Sequence, residues 1–124
     1  MEKIKLLVFV DDDYATNFYH KVIVRDSGLV ENYLFFSEPE KALEYFTDLN
    51  NQENPIIPDA IFLDINMPKL KGLDFLRTLA NPPIIIITSA YRDYALEGFE
   101  LNVLDYLVKP IPFPRLVKAM DKFL

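Results

Sequence analysis

The sequence predicts a three-layer α/β fold in which a parallel sheet lies between two layers of helices. Two observations carry this. Five short apolar runs recur along the 124 residues, each followed by a longer mixed segment. The runs are continuous in Ile, Val, Leu and Phe rather than alternating, which suits strands covered on both faces, as in parallel sheets. A β-α order repeated five times, with right-handed crossovers, then places helices on both faces.

The first run is Ile4 to Val10, followed by a brief second run from Tyr33 to Phe36. The third is Ala60 to Leu63, the fourth Ile84 to Ile87 and the fifth Leu104 to Val108. All are too short for helices. Between them, Ala15 to Asp26 reads as a helix with Phe18, Val22 and, less regularly, Ile23 facing inward, and with Gly28 as its stop. A second helix over Ser37 to Thr47 opens on Ser37-Glu38-Pro39-Glu40, the pattern of a capping box, and lines one face with Ala42, Leu43 and Phe46. Further helices are predicted over Leu73 to Leu79 and Tyr91 to Leu101. The last is Pro114 to Leu124, with prolines at its start, where a missing N–H costs least. The stretch Leu49 to Pro58 is a polar, proline-bearing loop too short to link domains.

Bulk composition narrows the function. The length suits one compact domain, and 51% hydrophobic with 26% charged residues is ordinary for such a protein. A net charge of −6 makes the chain a poor nucleic-acid binder by itself, since binding to phosphates draws on clustered Lys and Arg. The absence of cysteine excludes disulfides, thiol catalysis and thiolate metal sites. The N-terminal apolar run is short and stops at three carboxylates, so it is neither a signal peptide nor a membrane span. The expected location is cytoplasmic.

The chemistry sits where strands stop. Asp11, Asp12 and Asp13 follow the first run and Asp64 the third, while Thr88 and Ser89 end the fourth strand and Lys109 the fifth. In open parallel sheets the carboxyl ends of the strands form the ligand crevice, so these distant residues should converge. Packed carboxylates repel one another unless a cation joins them. Mg²⁺ suits one or two carboxylates with water and a phosphate oxygen. A metal, a lysine, a hydroxyl and a nucleophilic carboxylate together make a phosphoryl-transfer site. Taken singly, each residue has a plainer role. An Asp after a strand is most often a helix cap, a Lys before Pro is solvated surface, and a Thr-Ser pair is a turn. The coincidence of all four at strand ends favours chemistry. Asp13 is expected to cap the first helix, and His20 to lie on that helix's exposed surface.

These residues resemble the receiver domains of bacterial two-component response regulators over essentially the whole chain. Val10-Asp11-Asp12-Asp13 is similar to the family's acidic pair. Phe62-Leu63-Asp64-Ile65-Asn66-Met67-Pro68, with Gly72, is similar to its phosphoacceptor motif, and Asp105-Tyr106-Leu107-Val108-Lys109-Pro110 to its lysine motif. From Pro58 onward the chain looks most like receivers of LytTR-type regulators, above all in Ala90-Tyr91-Arg92-Asp93-Tyr94-Ala95-Leu96-Glu97-Gly98-Phe99-Glu100.

The resemblance implies a flavodoxin-like, doubly wound (βα)5 sheet of strand order 2-1-3-4-5, with residues 1–124 as one receiver domain and no output domain in this chain. It implies Asp64 as phosphoacceptor and Lys109 as the phosphoryl-binding cation. Mg²⁺ would be held by Asp12, Asp64 and the backbone carbonyl of Asn66, with Asp11 acting through water. A cis Lys109–Pro110 bond is implied, and Tyr106 as the aromatic switch residue. The 20 positions from Ser89 to Lys109 match LytTR-type receivers, making Ser89 the switch hydroxyl with Thr88 as fallback. Asn66 and Tyr91 would tune water access to the acyl phosphate. The implied partner is a histidine kinase or phosphotransfer protein, with a second copy of the chain able to pair through the fourth helix, fifth strand and fifth helix. The domain would be no enzyme beyond its own phosphorylation and dephosphorylation. It would not touch nucleic acid or membrane directly.

Three other readings stay open. A receiver fold can serve as an interaction module without phosphorylation. Haloacid-dehalogenase-like phosphatases carry an Asp-x-Asp-x-Thr/Val pattern, which Asp11-Asp12-Asp13-Tyr14-Ala15 meets except at Ala15. A flavin-binding domain of the same topology would need a phosphate cradle where three carboxylates stand, and these would repel a phosphate.

Overall fold

The computed structural model describes residues 3–64, 84–90 and 104–122. Five strands form one parallel sheet: β1 (Ile4–Val10), β2 (Val30–Phe36), β3 (Ala60–Asp64), β4 (Ile84–Ser89) and β5 (Asp105–Val108). Their order is β2-β1-β3-β4-β5, as the sequence led us to expect. The described helices are α1 (Tyr14–Ser27), α2 (Pro39–Asn50) and a C-terminal helix (Phe113–Asp121). The helices expected over Leu73–Leu79 and Tyr91–Leu101 lie outside the described residues.

The core divides into two clusters, one on each face of the sheet. On one face Leu7, Phe9, Phe62 and Leu107 pack against Ile23 and Val24 of α1 and Leu116 and Met120 of the C-terminal helix. On the other, Val8, Val10, Ile61 and Ile87 pack against Ala42, Phe46 and Leu49 of α2. Alternate strand residues serve opposite faces, so the central strands must be apolar throughout. β3 is buried at every position. Register strengthens the first face: Phe35, Phe9 and Phe62 stand side by side on β2, β1 and β3, with ring centroids 4.7 and 4.6 Å apart. Each fully buried Leu, Ile or Phe contributes about 1.5–3 kcal/mol relative to exposure. The strand ends therefore project from a rigid platform.

Several local expectations are corrected. β2 begins at Val30, three residues early, because an edge strand tolerates the exposed Glu31 and Asn32 that interrupt its apolar run. Thr88 and Ser89 end β4 as expected, whereas Asp64, expected just after β3, is its last residue, and Lys109, expected to end β5, follows it. Ser37 does not cap α2: the helix starts at Pro39, and its cap residue is Glu38, with no side-chain cap bond. The reason is steric, since a residue before proline is pushed to extended backbone, as Glu38 is at φ −122°, ψ 118°. α1 turns a different face inward, burying Asn17, His20, Ile23 and Val24. Phe18 is 68% exposed, and His20, expected on the surface, is 3% exposed. Asp13 does cap α1, and Gly28 ends it in the left-handed conformation at φ 69°.

Candidate functional site

The site lies at the carboxyl ends of β1, β3, β4 and β5. Central β1 and β3 are neighbours in the sheet, and the strand order reverses between them, with β2 beyond β1 and β4 beyond β3. A crevice opens at such a reversal. The register Val10↔Leu63 brings Asp11, the residue after β1, beside Asp64, the last residue of β3. The register Asp64↔Thr88 adds the end of β4. Beyond β5 the Lys109 N–H donates to the Ser89 carbonyl at 2.7 Å, which turns Lys109 toward the crevice. The following Lys109–Pro110 bond is cis.

Three carboxylates meet here: oxygens of Asp11, Asp12 and Asp64 all lie within 4.8 Å of one another. Asp11 and Asp64 are buried and Asp12 is half-buried. Lys109 Nζ lies 2.5 Å from Asp11 Oδ2 and 3.4 Å from Asp64 Oδ2. Among the described residues, one ammonium faces three carboxylates in a crevice of reduced dielectric, an excess of negative charge. An all-oxygen donor set with that deficit fits a hard divalent cation such as Mg²⁺. The Asn66 carbonyl, expected as a further ligand, lies outside the described residues.

Asp13 stands apart from this cluster. Its carboxylate accepts from the Ala15 N–H at 3.0 Å and the Thr16 hydroxyl at 2.9 Å. The Thr16 bond first, then the Ala15 bond, hold its carboxyl below the ordinary range. The middle of the β1–α1 turn is held by Asp11 Oδ1, which accepts from the Asp13 N–H at 3.0 Å.

The two candidate hydroxyls are both buried, but the sheet separates them. Register pairs Ile87 with Tyr106, and Ser89 follows Ile87 at the two-residue period, so Ser89 and Tyr106 share a sheet face. Thr88 belongs to the opposite face, with its partners Asp64 and Leu107. Tyr106 is half-buried against the α2-side cluster. Its N–H donates to Asp105 Oδ1 at 2.8 Å. Asp105 in turn pairs with Arg115 at 2.8 Å and Lys122 at 2.9 Å, tying β5 to the C-terminal helix. Burial works to raise the Asp105 carboxyl, but the bonds from Arg115 and Lys122 outweigh it and hold it low.

Beside the carboxylates a pocket of about 630 Å³ opens between α1 and the loop after β5, lined by Asp13, Thr16, Tyr19, His20, Lys109 and Pro110 among others. His20 packs with Phe9 and Tyr19, at centroid distances of 5.6 and 5.9 Å. Burial depresses its imidazole pKa to about 4; nearby Asp11 works against this and Lys109 with it. Sequence reading missed both His20 and Asn17 as neighbours of the site. The spacing of Asn17, His20 and Val24 at i, i+3 and i+7 was the signal for that face.

Comparison with known proteins agrees with the fold. The profile described as the response regulator receiver domain matches residues 7–121. An uncharacterised response regulatory protein of Vibrio cholerae is 31% identical over 119 residues, covering 94% of this chain and 47% of that protein. The sensory transduction protein LytT of Bacillus cereus is 39% identical over 69 residues, 53% of this chain and 28% of LytT. The chain thus spans about half the length, or less, of these relatives. Among solved structures, a two-component response regulator from Cytophaga hutchinsonii superposes with a TM-score of 0.83 at 25% identity, covering 98% of both chains.

Proposed function

The chain belongs to the response regulator receiver domains of two-component signalling, and on that premise we propose that Asp64 accepts a phosphoryl group from a phosphohistidine in an Mg²⁺-dependent reaction. The observation that carries this is the meeting of Asp11, Asp12 and Asp64 with Lys109 at the strand ends. An Asp64 carboxylate oxygen attacks phosphorus. The new O–P bond forms as the N–P bond of the donor breaks, and the electron pair returns to the donor imidazole. Lys109 faces the oxygens that gain charge. Asp12, Asp64 and the Asn66 carbonyl would hold Mg²⁺ directly, with Asp11 behind a water. When bound, the ion neutralises charge on the transferring group.

The donor is a histidine kinase or phosphotransfer protein. Tyr14 (74% exposed), Phe18 and Tyr19 are exposed on α1, and Tyr19 lines the pocket that leads to Lys109; they would give such a protein an apolar approach. The phosphoryl group brings about −1.5 to −2 charges. Ser89 then closes on it and Tyr106 fills the space vacated, a reading supported by their shared sheet face. The change is a population shift between two packings, read out on the surface of β5, the C-terminal helix and the segment 91–103 between β4 and β5. A second copy of the chain would pair through that surface. Tyr94, Phe99 and Leu101, expected there, lie outside the described residues. So does Tyr91, expected to tune hydrolysis.

The receiver unit is read as residues 1–124, a cytoplasmic signalling domain that catalyses only its own phosphorylation and dephosphorylation. Among the described residues no helix is long and apolar enough to cross a membrane. The test is chemical. After incubation with a phosphorylated histidine donor and Mg²⁺, hydroxylamine should trap a hydroxamate at Asp64. A hydroxamate at another carboxylate, with Asp64 unmodified, would refute the assignment.

A further inference from the structure

We propose that Asn17 is a positioning residue for the metal-binding end of the site, clamping the backbone of Asp11 so that Asp11 and Asp12 are presented at fixed spacing. The inference rests on the reading of those two residues as the holders of Mg²⁺.

An Asn inside a helix is a mediocre helix former, and a buried one needs a specific reason to be there. Asn17 is 7% exposed, on the inward face of α1. Its Nδ2 donates to the Asp11 carbonyl at 2.8 Å and reaches the Phe36 carbonyl at 3.5 Å. The same Phe36 carbonyl accepts from the Asp11 N–H at 3.0 Å. Asp11 lies one residue past the end of β1. Its backbone N–H makes the last bond to β2, at Phe36, and its carbonyl is held by Asn17.

The orientation of the amide is forced. Two carbonyl oxygens face it, and a flipped amide would set Oδ1 against both. Oδ1 therefore points the other way, where it is buried and has no hydrogen-bond partner among the described residues. A buried, unpaired acceptor costs stability, which the amide's own bond to the Asp11 carbonyl offsets. Asn17 is thus close to neutral for folding. Its return is the fixed Asp11 carbonyl, and through it the turn that carries both carboxylates. Partners of this kind behind the ligands typically govern metal affinity ten- to a hundredfold.

The test compares the wild-type chain with Asn17→Leu. The probe is Mg²⁺ alone, followed through the Asp13 amide signal in NMR, and folding stability is measured in urea without Mg²⁺. The expected result is a Mg²⁺ Kd of the folded chain raised about ten- to a hundredfold, whatever stability is lost with the bond to the Asp11 carbonyl. A merely structural residue would change stability and leave the Kd of the folded chain unchanged. That outcome overturns the proposal. Should Asn17→Leu not fold, Asn17→Ser carries the same comparison, with a donor on a shorter arm. A weaker Mg²⁺ site in the folded chain supports the clamp, and an unchanged Kd overturns it. If the wild-type chain does not bind Mg²⁺ here, the functional reading fails along with the clamp; if it binds and Asn17→Leu binds equally, only the clamp fails.

Discussion

Lys109 Nζ stands 2.5 Å from Asp11 Oδ2, an ion pair that joins two strand ends across 98 positions of chain. The pair sits in a crevice where the Asp11 side chain is 4% exposed and that of Lys109 is 19% exposed. Asp64, at 3.4 Å from the same ammonium, shares it. Lys109 is therefore a countercharge of the acidic cluster, and in the proposed reaction it would turn to incoming phosphoryl oxygens.

Replacing Lys109 by Ala removes the ammonium paired with the buried Asp11 and Asp64 carboxylates. Without metal, folding stability should fall by about 1–3 kcal/mol. Added Mg²⁺ should restore much of this, because it answers the same charge excess. Urea midpoints with EDTA and with Mg²⁺ check the point. An equal loss under both conditions would mean that Lys109 acts through packing alone.

The three consecutive carboxylates should separate cleanly by mutation. Asp13→Ala removes the cap of α1 and should cost about 1 kcal/mol while leaving Mg²⁺ affinity essentially unchanged. Asp12→Ala should do the reverse. A Mg²⁺ titration and a melting curve for each variant distinguish the two roles.

His20 predicts an acid sensitivity. Its imidazole is neutral in the folded chain, with a pKa of about 4 against an ordinary 6.5. The unfolded chain therefore binds the extra proton at a higher pH than the folded one. The stabilisation is fully present above pH 6.5 and is lost as the pH falls toward 4. The full window corresponds to about 3 kcal/mol. Between pH 7 and pH 5 the urea midpoint should drop, and His20→Phe should flatten that slope. An unaltered slope in the variant would assign the acid sensitivity to other groups.

Ser89 and Thr88 stand on opposite sheet faces, which makes the switch testable. Beryllofluoride with Mg²⁺ should shift the Tyr106 signals in the wild type and in Thr88→Val. In Ser89→Ala the shift should be lost while Mg²⁺ binding is kept. A shift abolished only in Thr88→Val would hand the switch to Thr88.

The platform was legible because central parallel strands must be apolar on both sides, so β3, β4 and β1 beyond Lys5 stand out as apolar runs. The acidic cluster was legible for a related reason: Asp11 and Asp64 end such runs abruptly. What escaped notice was polar. Glu31 and Asn32 disguised the start of edge strand β2. On α1, Asn17 and His20 occupy inward positions that a hydrophobic pattern assigns to solvent, and the apolar Phe18 is exposed instead. Pattern reading sees burial through apolarity, so polar side chains buried beside a charged site invert its signal. Ser37 failed as a cap because the backbone preference set by Pro39 acts on Glu38, an effect that the capping-box spacing does not include.

The measurement that bears most directly on the account is the mass of the intact protein after exposure to a small phosphodonor, with and without Mg²⁺. The wild type should gain one phosphoryl group only when Mg²⁺ is present, and Asp64→Asn should gain none. The same gain in Asp64→Asn would contradict Asp64 as the phosphoacceptor.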